Sequence, residues 1–212
     1  MNRPSLGSRL RFYFGRYEKP ITEIYRRIYI NLDAFSKEVG YRIKANKILE
    51  VGCGEGLLTE RLHKIYPTAL IIGIDISSRV GRLFSKTPQN VFFLNRTVQS
   101  VELEYKRFFD LIIICDVLHH VPTQHIPSLL QSVGQMMKPG GSIVIKEWQK
   151  KWNLIYLLGY FSDRWITGDQ VCYLRKADWE KLLGDIFGQS AIREEFSVPP
   201  WSNNITFQIR PE

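Results

Sequence analysis

Two short stretches hold most of the side chains that could do chemistry. Between Ile114 and Ile126 the chain reads CDVLHHVPTQH, which places three of its four histidines beside Cys115 and Asp116. Such side chains serve as metal ligands, general bases and proton shuttles. A metal centre fits poorly. Tight sites need three or four converging ligands, adjacent His119 and His120 in a turn or extended segment point apart, and the helical HExxH pair is missing. No metal is therefore expected. Acid–base chemistry fits better, with one of His119 and His120 acting as base or orienting group and the other packed against the fold. The competing reading makes both structural. His125, after Pro122, reads as a surface residue.

The second stretch is LEVGCGEGLLTE, from Leu49 to Glu60. A strand ends at Val51, Gly52, Gly54 and Gly56 follow, and a helix begins. Glycines permit a tight turn and a close ligand approach, and a helix N-terminus offers unpaired N–H groups. Asp75 ends the next strand, nineteen residues beyond Gly56, a spacing that suits a carboxylate on ribose hydroxyls. The spacing GxGxG differs from the dinucleotide fingerprint. GxxxxGK[ST] is absent, so a nucleoside-triphosphate phosphate loop is excluded.

The elements around these stretches alternate. The strands KILEVG, ALIIGIDI, VFFLN, FDLIIICD and SIVIKEW are near-continuous apolar runs, as strands covered by helices on both faces must be. Helices are expected in GLLTERLHKIY, SSRVGRLFSK and IPSLLQSVGQMM. An earlier one is expected from about Ile21 to Val39, where apolar residues recur at helical spacing. KWNLIYLLGYFSDRWI reads as an inserted helix and loop, and ADWEKLLGDIFG as a helix with Gly188 as its cap. AIREEFSV and NITFQIR read as an antiparallel pair joined through PPWSN. The pattern specifies a doubly wound α/β domain.

Composition is consistent with that. The 212 residues are 44% hydrophobic and 24% charged, ordinary for a soluble domain. The net charge of +8 is concentrated in residues 1–47, where eleven Lys and Arg face only Glu18, Glu23, Asp33 and Glu38. The three cysteines are scattered and form no CxxC, which argues against a disulfide framework or a zinc ribbon and for a reduced, cytoplasmic setting. No secretory leader and no membrane-length apolar run is read.

Four blocks, ILEVGCGEG, GIDIS, FDLIIICDVLHHV and MMKPGGSIVI, occur in an order that resembles the class I S-adenosylmethionine-dependent methyltransferases. They span about Lys47 to Glu147, nearly half the chain. The resemblance implies a Rossmann-like, mostly parallel seven-stranded sheet with an antiparallel last strand, preceded by a helical N-terminal extension. It implies S-adenosyl-L-methionine as cofactor, with Gly52, Cys53, Gly54 and Gly56 lining its methionine part and Glu50 supporting that loop. Asp75 would hold the ribose, Ile76 would pack on the adenine, and Cys115 and Asp116 would form the cofactor-side lip. Family members often carry an acid after the third strand. Arg96, Thr97 and Gln99 stand there in this chain, so adenine recognition is expected from backbone around Thr97 and Val98.

The division expected is an arm and helix over 1–45, then a methyltransferase domain over 46–212 with a lid-like insertion at about 148–177. Acceptor contacts are expected from Glu147, Trp148, Tyr160 and Trp201, with Asp163, Arg164 and Asp169 as polar residues of the lid. Positioning of two reactants supplies about 7–11 kcal/mol, against ~3–5 kcal/mol from a base, so a base matters chiefly when the acceptor carries a proton. The expected activity is in-line methyl transfer to a small, partly apolar acceptor, lipid-like in one form. The alternatives are an RNA or protein methyltransferase, or a cofactor-binding scaffold without catalysis. The basic aromatic arm SRLRFYFGRYEK is read first as packing on its own domain or on a second subunit. Peripheral attachment to a membrane comes next and nucleic acid last.

Overall fold

The structure is a computed structural model and describes residues 18–85, 88–162 and 171–211. The arm preceding Glu18 and the residues Asp163, Arg164 and Asp169 lie outside the described residues. The apolar runs become β1 (Lys47–Val51), β2 (Leu70–Asp75), β3 (Val91–Asn95), β4 (Phe109–Cys115) and β5 (Met137–Trp148), followed by β6 (Ile192–Ser197) and β7 (Asn204–Ile209). They form one sheet in the order β3-β2-β1-β4-β5-β7-β6. Neighbours from β3 to β5 are parallel, and β7 runs antiparallel to both β5 and β6.

Alternate residues of each strand enter opposite cores. Leu49, Val51, Ile112, Ile114 and Ile145 join one cluster, and Ile48, Leu111, Ile113 and Val144 the other. The first core is closed by α5 (Ile126–Met136) and by α7 (Lys176–Phe187), through Leu130, Trp179 and Leu183. The second is closed by α2 (Leu32–Arg42) and α3 (Leu57–Ile65), through Phe35, Val39 and Leu62. Burial on both faces is why these strands lack polar alternation.

Two expected helices come out differently. The single helix anticipated over 21–39 is two, α1 (Glu18–Tyr29) and α2, broken at Ile30–Asn31. Asn31 caps α2 by accepting from Ala34 N at 2.9 Å, and its own N–H goes to Pro199 O at 2.8 Å. An Asn side chain competes well for a helix start, so the periodicity continues across a real break. SSRVGRLFSK forms turns instead of a helix over its described part. Gly81 N donates to Gly54 O and Leu83 N to Glu55 O, so donors that a helix would use are tied to the glycine loop. Gly81 holds φ +69°, and an added Cβ would stand 2.4 Å from the Phe93 ring.

The remaining elements are short α4 (Val98–Val101) and α6 (Leu154–Ser162), the latter within the insertion after β5. A third small cluster lies there, with Trp148, Ile155, Tyr156 and Tyr173 buried and Tyr29 and Tyr160 packed against it. Helix α1 crosses the carboxyl edge of the sheet. At its start Lys19 bonds Glu60 and Ser85, and at its end Ile28 O and Tyr29 O accept from Trp201 and Asn204. Among the described residues no helix is long and apolar enough to cross a membrane.

Candidate functional site

The carboxyl edge of β1, β2, β4 and β5 gathers nearly every residue singled out by sequence. Open α/β sheets bind ligands at this edge, where the strand order reverses between β1 and β4. A groove of about 400 Å³ lies at the opposite edge, between Arg42, Asn46, Asp110, Lys138 and Arg210, and holds none of them.

The glycine loop is built by close approach. Gly52 has φ +70°, and a Cβ there would stand 2.3 Å from Val117 Cγ2, so only glycine fits. Gly54 also has positive φ, at +51°, yet nothing lies within 4 Å of its would-be Cβ. Gly56 caps α3 in the left-handed region. Asp75 braces the loop, with Oδ2 accepting from Gly54 N at 2.8 Å and Oδ1 from Ser77 N at 2.7 Å. An ionised carboxylate retains acceptor sites beyond these two, open to ligand hydroxyls. Ile76 beside it is 80% exposed, a large apolar side chain with no core role.

Glu50 lies beneath the loop and accepts from Thr59 Oγ1 at 2.6 Å. Burial pushes its carboxyl up to about 8, against the pull of the Thr59 hydrogen bond and the Arg26 charge. Cys53 differs from expectation. Its side chain is buried and packs toward Gly73, where a Cβ would meet Sγ at 2.8 Å, so only its backbone can border a ligand. Burial pushes its thiol up, and the same cause raises Cys115, so neither offers a thiolate. Thr97 is exposed and caps α4, while the Val98 side chain is buried in the core.

Between the ends of β4 and β5 the two histidines differ in burial and in partners. His119 is 5% exposed and its Nδ1 lies 2.6 Å from Glu147 Oε2. The other Glu147 oxygen accepts from Val117 N at 3.0 Å and Leu118 N at 2.7 Å. Glu147 is 0% exposed, and both of its oxygens are engaged, one with His119 and one with the backbone just beyond the end of β4. His120 is exposed, its ring tilted against that of His119 at 4.1 Å, and the Tyr173 ring lies 5.1 Å from His119. An imidazole fixed by a buried carboxylate has its proton on Nδ1 and its basic lone pair on Nε2, which suits a general base.

Asp116, with φ +56°, turns toward Lys146, whose Nζ lies 2.5 Å from its Oδ1. Burial works to raise the Asp116 carboxyl, but the Lys146 ammonium beside it holds it below the usual range. Asp116, His119 and Glu147 could each offer a cation one atom, all within 4.8 Å of one another. The Lys146 ammonium already supplies positive charge at that point.

Trp148 and Tyr160 fall together in the aromatic cluster under α6. Trp148 Nε1 and Asn204 Oδ1 are buried without partners among the described residues, and the two residues are directly paired in register. Trp201 lies apart, on the outside of the α1 end. Sequence reasoning missed Arg26, whose charge on α1 reaches Glu50, Cys115 and Asp116, and Lys146, which a buried strand gave no reason to suspect. It also missed Asn95, whose amide bonds Asp75 O and Ser77 O and so sets the turn that carries Ile76.

The site fits the cofactor that the sequence resemblance implies. Gly54 opens onto free space, Asp75 has spare acceptor sites, Ile76 offers an apolar surface and Arg26 brings positive charge. A family model described as a methyltransferase domain matches residues 22–186. The ubiquinone biosynthesis O-methyltransferase of Photorhabdus laumondii subsp. laumondii is 31% identical over 174 residues, covering 77% of this chain and 69% of that protein. The protein of the same name from Shewanella sp. strain ANA-3 is 30% identical over 105 residues, 48% of this chain and 43% of that one. The chain spans less than half the length of several such curated relatives. Among solved structures, the apo S-adenosylmethionine-dependent methyltransferase SibL superposes with a TM-score of 0.72 over 100% of this chain and 64% of that one, at 15% identity. That likeness concerns the fold.

Proposed function

The chain belongs to the methyltransferase-domain family, and on that premise we propose that it methylates a hydroxyl group of a small, partly apolar acceptor using S-adenosyl-L-methionine. The observation that carries the choice of a hydroxyl is the His119–Glu147 pair, 2.6 Å apart and buried beside the glycine loop. A base oriented in this way serves an acceptor that must lose a proton. Relatives named as O-methyltransferases of ubiquinone biosynthesis support the same chemistry, and an aromatic hydroxyl on a lipid-like molecule is the finer form of the reading.

When bound, S-adenosyl-L-methionine supplies an activated methyl group on a sulfonium sulfur. Gly52, Gly54 and Gly56 let the backbone approach it, with the backbones of Cys53 and Cys115 at the loop and β4 edges. Asp75 receives the ribose hydroxyls, and Ile76 with backbone at Thr97 and Val98 borders the adenine. Arg26 adds charge suited to a carboxylate. Glu147 holds the proton on His119 Nδ1, so that Nε2 takes the acceptor proton. Lys146 keeps Asp116 ionised at the lip. Trp148, Tyr160 and Tyr173, on the insertion at about 148–177, cover the apolar part of the acceptor. The orphan atoms of Trp148 and Asn204 suit a polar substituent on it.

The test is calorimetric titration with S-adenosyl-L-methionine and S-adenosylhomocysteine, followed by a methyl-transfer screen of phenols and catechols with isoprenoid tails. Both nucleosides are expected to bind, and His119→Ala to lose turnover while His120→Ala retains it. Failure of both to bind would sink the reading.

A further inference from the structure

The His119 imidazole is held on a face as well as on an edge. Glu147 Oε2 meets the edge, 2.6 Å from Nδ1. One hydrogen bond sets a distance, but the last torsion of a histidine side chain is broad, so packing must fix the plane of the ring. The Tyr173 ring supplies that packing, with its centroid 5.1 Å from the imidazole and the two planes 31° apart. Tyr173 is itself buried, and Tyr156 of α6 meets it edge-on at 5.8 Å. Rings prefer offset and edge-on contacts at such separations. His120 also lies against the imidazole, but it is exposed and constrains it less.

The backbone around Tyr173 ties it to both members of the pair. Residues 171–175 form an irregular stretch that leads into α7, with no sheet ladder to place it. Cys172 N donates to His119 O at 2.9 Å, on the turn that carries the imidazole. Leu174 O accepts from Lys150 N at 2.8 Å, just beyond the strand that carries Glu147. Tyr173 is fixed on both sides, so its ring cannot drift from His119 without breaking one of these bonds. We propose that Tyr173 is a positioning residue, whose ring holds the His119 imidazole in the plane that keeps Nδ1 on Glu147 and turns Nε2 to the acceptor. This rests on the reading of His119 as the base, and goes beyond the cover that Tyr173 gives the acceptor.

Tyr173→Leu keeps apolar bulk without a flat face, and Tyr173→Phe keeps the ring. A misplacement of about 1 Å costs on the order of 10²-fold, so Tyr173→Leu is expected to lower kcat about 10–100-fold. Tyr173→Phe should recover kcat to within about threefold of wild type. Added to Glu147→Gln, Tyr173→Leu should cost less than about threefold more, since both act through one imidazole. Long-range proton–nitrogen NMR spectra of isotope-labelled histidine read the imidazole without turnover. Wild type and Tyr173→Phe should show the proton on Nδ1 of His119, and Tyr173→Leu a mixture of tautomers. S-adenosylhomocysteine affinity and thermal melts on the same samples show that each variant is folded. A mixture in Tyr173→Leu, together with turnover that survives His119→Ala, would uphold the hold on the ring while refuting the base. A single Nδ1–H tautomer in Tyr173→Leu would overturn the proposal. So would a rise in acceptor KM with kcat unmoved, the mark of a ring that only covers the acceptor, or full additivity with Glu147→Gln.

Discussion

Glu147→Gln separates a base held by its carboxylate from a histidine that merely packs. Glu147 accepts three hydrogen bonds, from Val117 N, Leu118 N and His119 Nδ1, at 3.0, 2.7 and 2.6 Å. A glutamine keeps the shape but has one acceptor oxygen, which the two backbone donors require. Its NH₂ then faces His119 Nδ1 and forces that nitrogen to accept, so the ring proton moves to Nε2. A protonated Nε2 cannot take a proton from a hydroxyl. The loss expected in kcat is that of a missing general base, about 10²–10⁴-fold or ~3–5 kcal/mol. The stability cost is smaller. Replacing bonds to a charge by neutral ones loses about 1 kcal/mol each, partly offset by easier burial of an amide, for a net of about 1–3 kcal/mol. Steady-state methyl transfer at saturating cofactor gives kcat, with thermal unfolding and S-adenosylhomocysteine titration on the same samples. Cofactor affinity should hold within about threefold, since Glu147 bonds His119 and not the glycine loop. Adding His119→Ala to the variant should cost little more, because the two residues act as one unit. A Glu147→Gln protein whose kcat stays within about tenfold of wild type would refute the reasoning.

Two further predictions rest on the glycine loop and its support. Gly52→Ala puts a Cβ against Val117 and should destabilise the fold by about 1–3 kcal/mol. Gly54→Ala meets open space, so it should cost only about 1 kcal/mol in stability yet weaken S-adenosylhomocysteine binding more than about tenfold. Thermal melts and calorimetry read the contrast, and undiminished affinity in Gly54→Ala would remove the loop from the ligand site. Glu50 has its carboxyl raised from 4.5 to about 8 by burial, so the folded protein holds a proton there that the unfolded chain releases. That contribution is complete below the unfolded value and disappears as pH rises through the folded one, at up to about 1.4 kcal/mol per pH unit between the two. Glu50→Gln should flatten this part of the urea-stability profile, and an unchanged slope would show that Glu50 is ionised in the fold.

Much of the scaffold was legible because its signals are local. Continuous Val, Ile and Leu runs declare strands buried on both faces, and Gly52, Gly54 and Gly56 declare a backbone turn that side chains would block. Asp75 at the end of the second strand could be paired with that turn by spacing alone. Where local signals competed with distant partners, they misled. Periodicity ran through Asn31, but its cap and its bond to Pro199 broke the helix. The run after Asp75 looked helical, but its N–H groups were claimed by the glycine loop.

The chemistry of CDVLHHVPTQH shows the same division most sharply. Residue types and the position after a strand sufficed to place this segment at the carboxyl edge and to name His119 and His120 as candidates. Their partners followed from the parallel pairing of β4 with β5, which sets Glu147 beneath one imidazole and Lys146 against Asp116, thirty residues away in the chain. Sequence alone determines which residues can be buried, turned or charged, because those preferences belong to each side chain and its near neighbours. Only tertiary structure decides which histidine has a carboxylate partner, because that depends on the register between strands far apart in the chain.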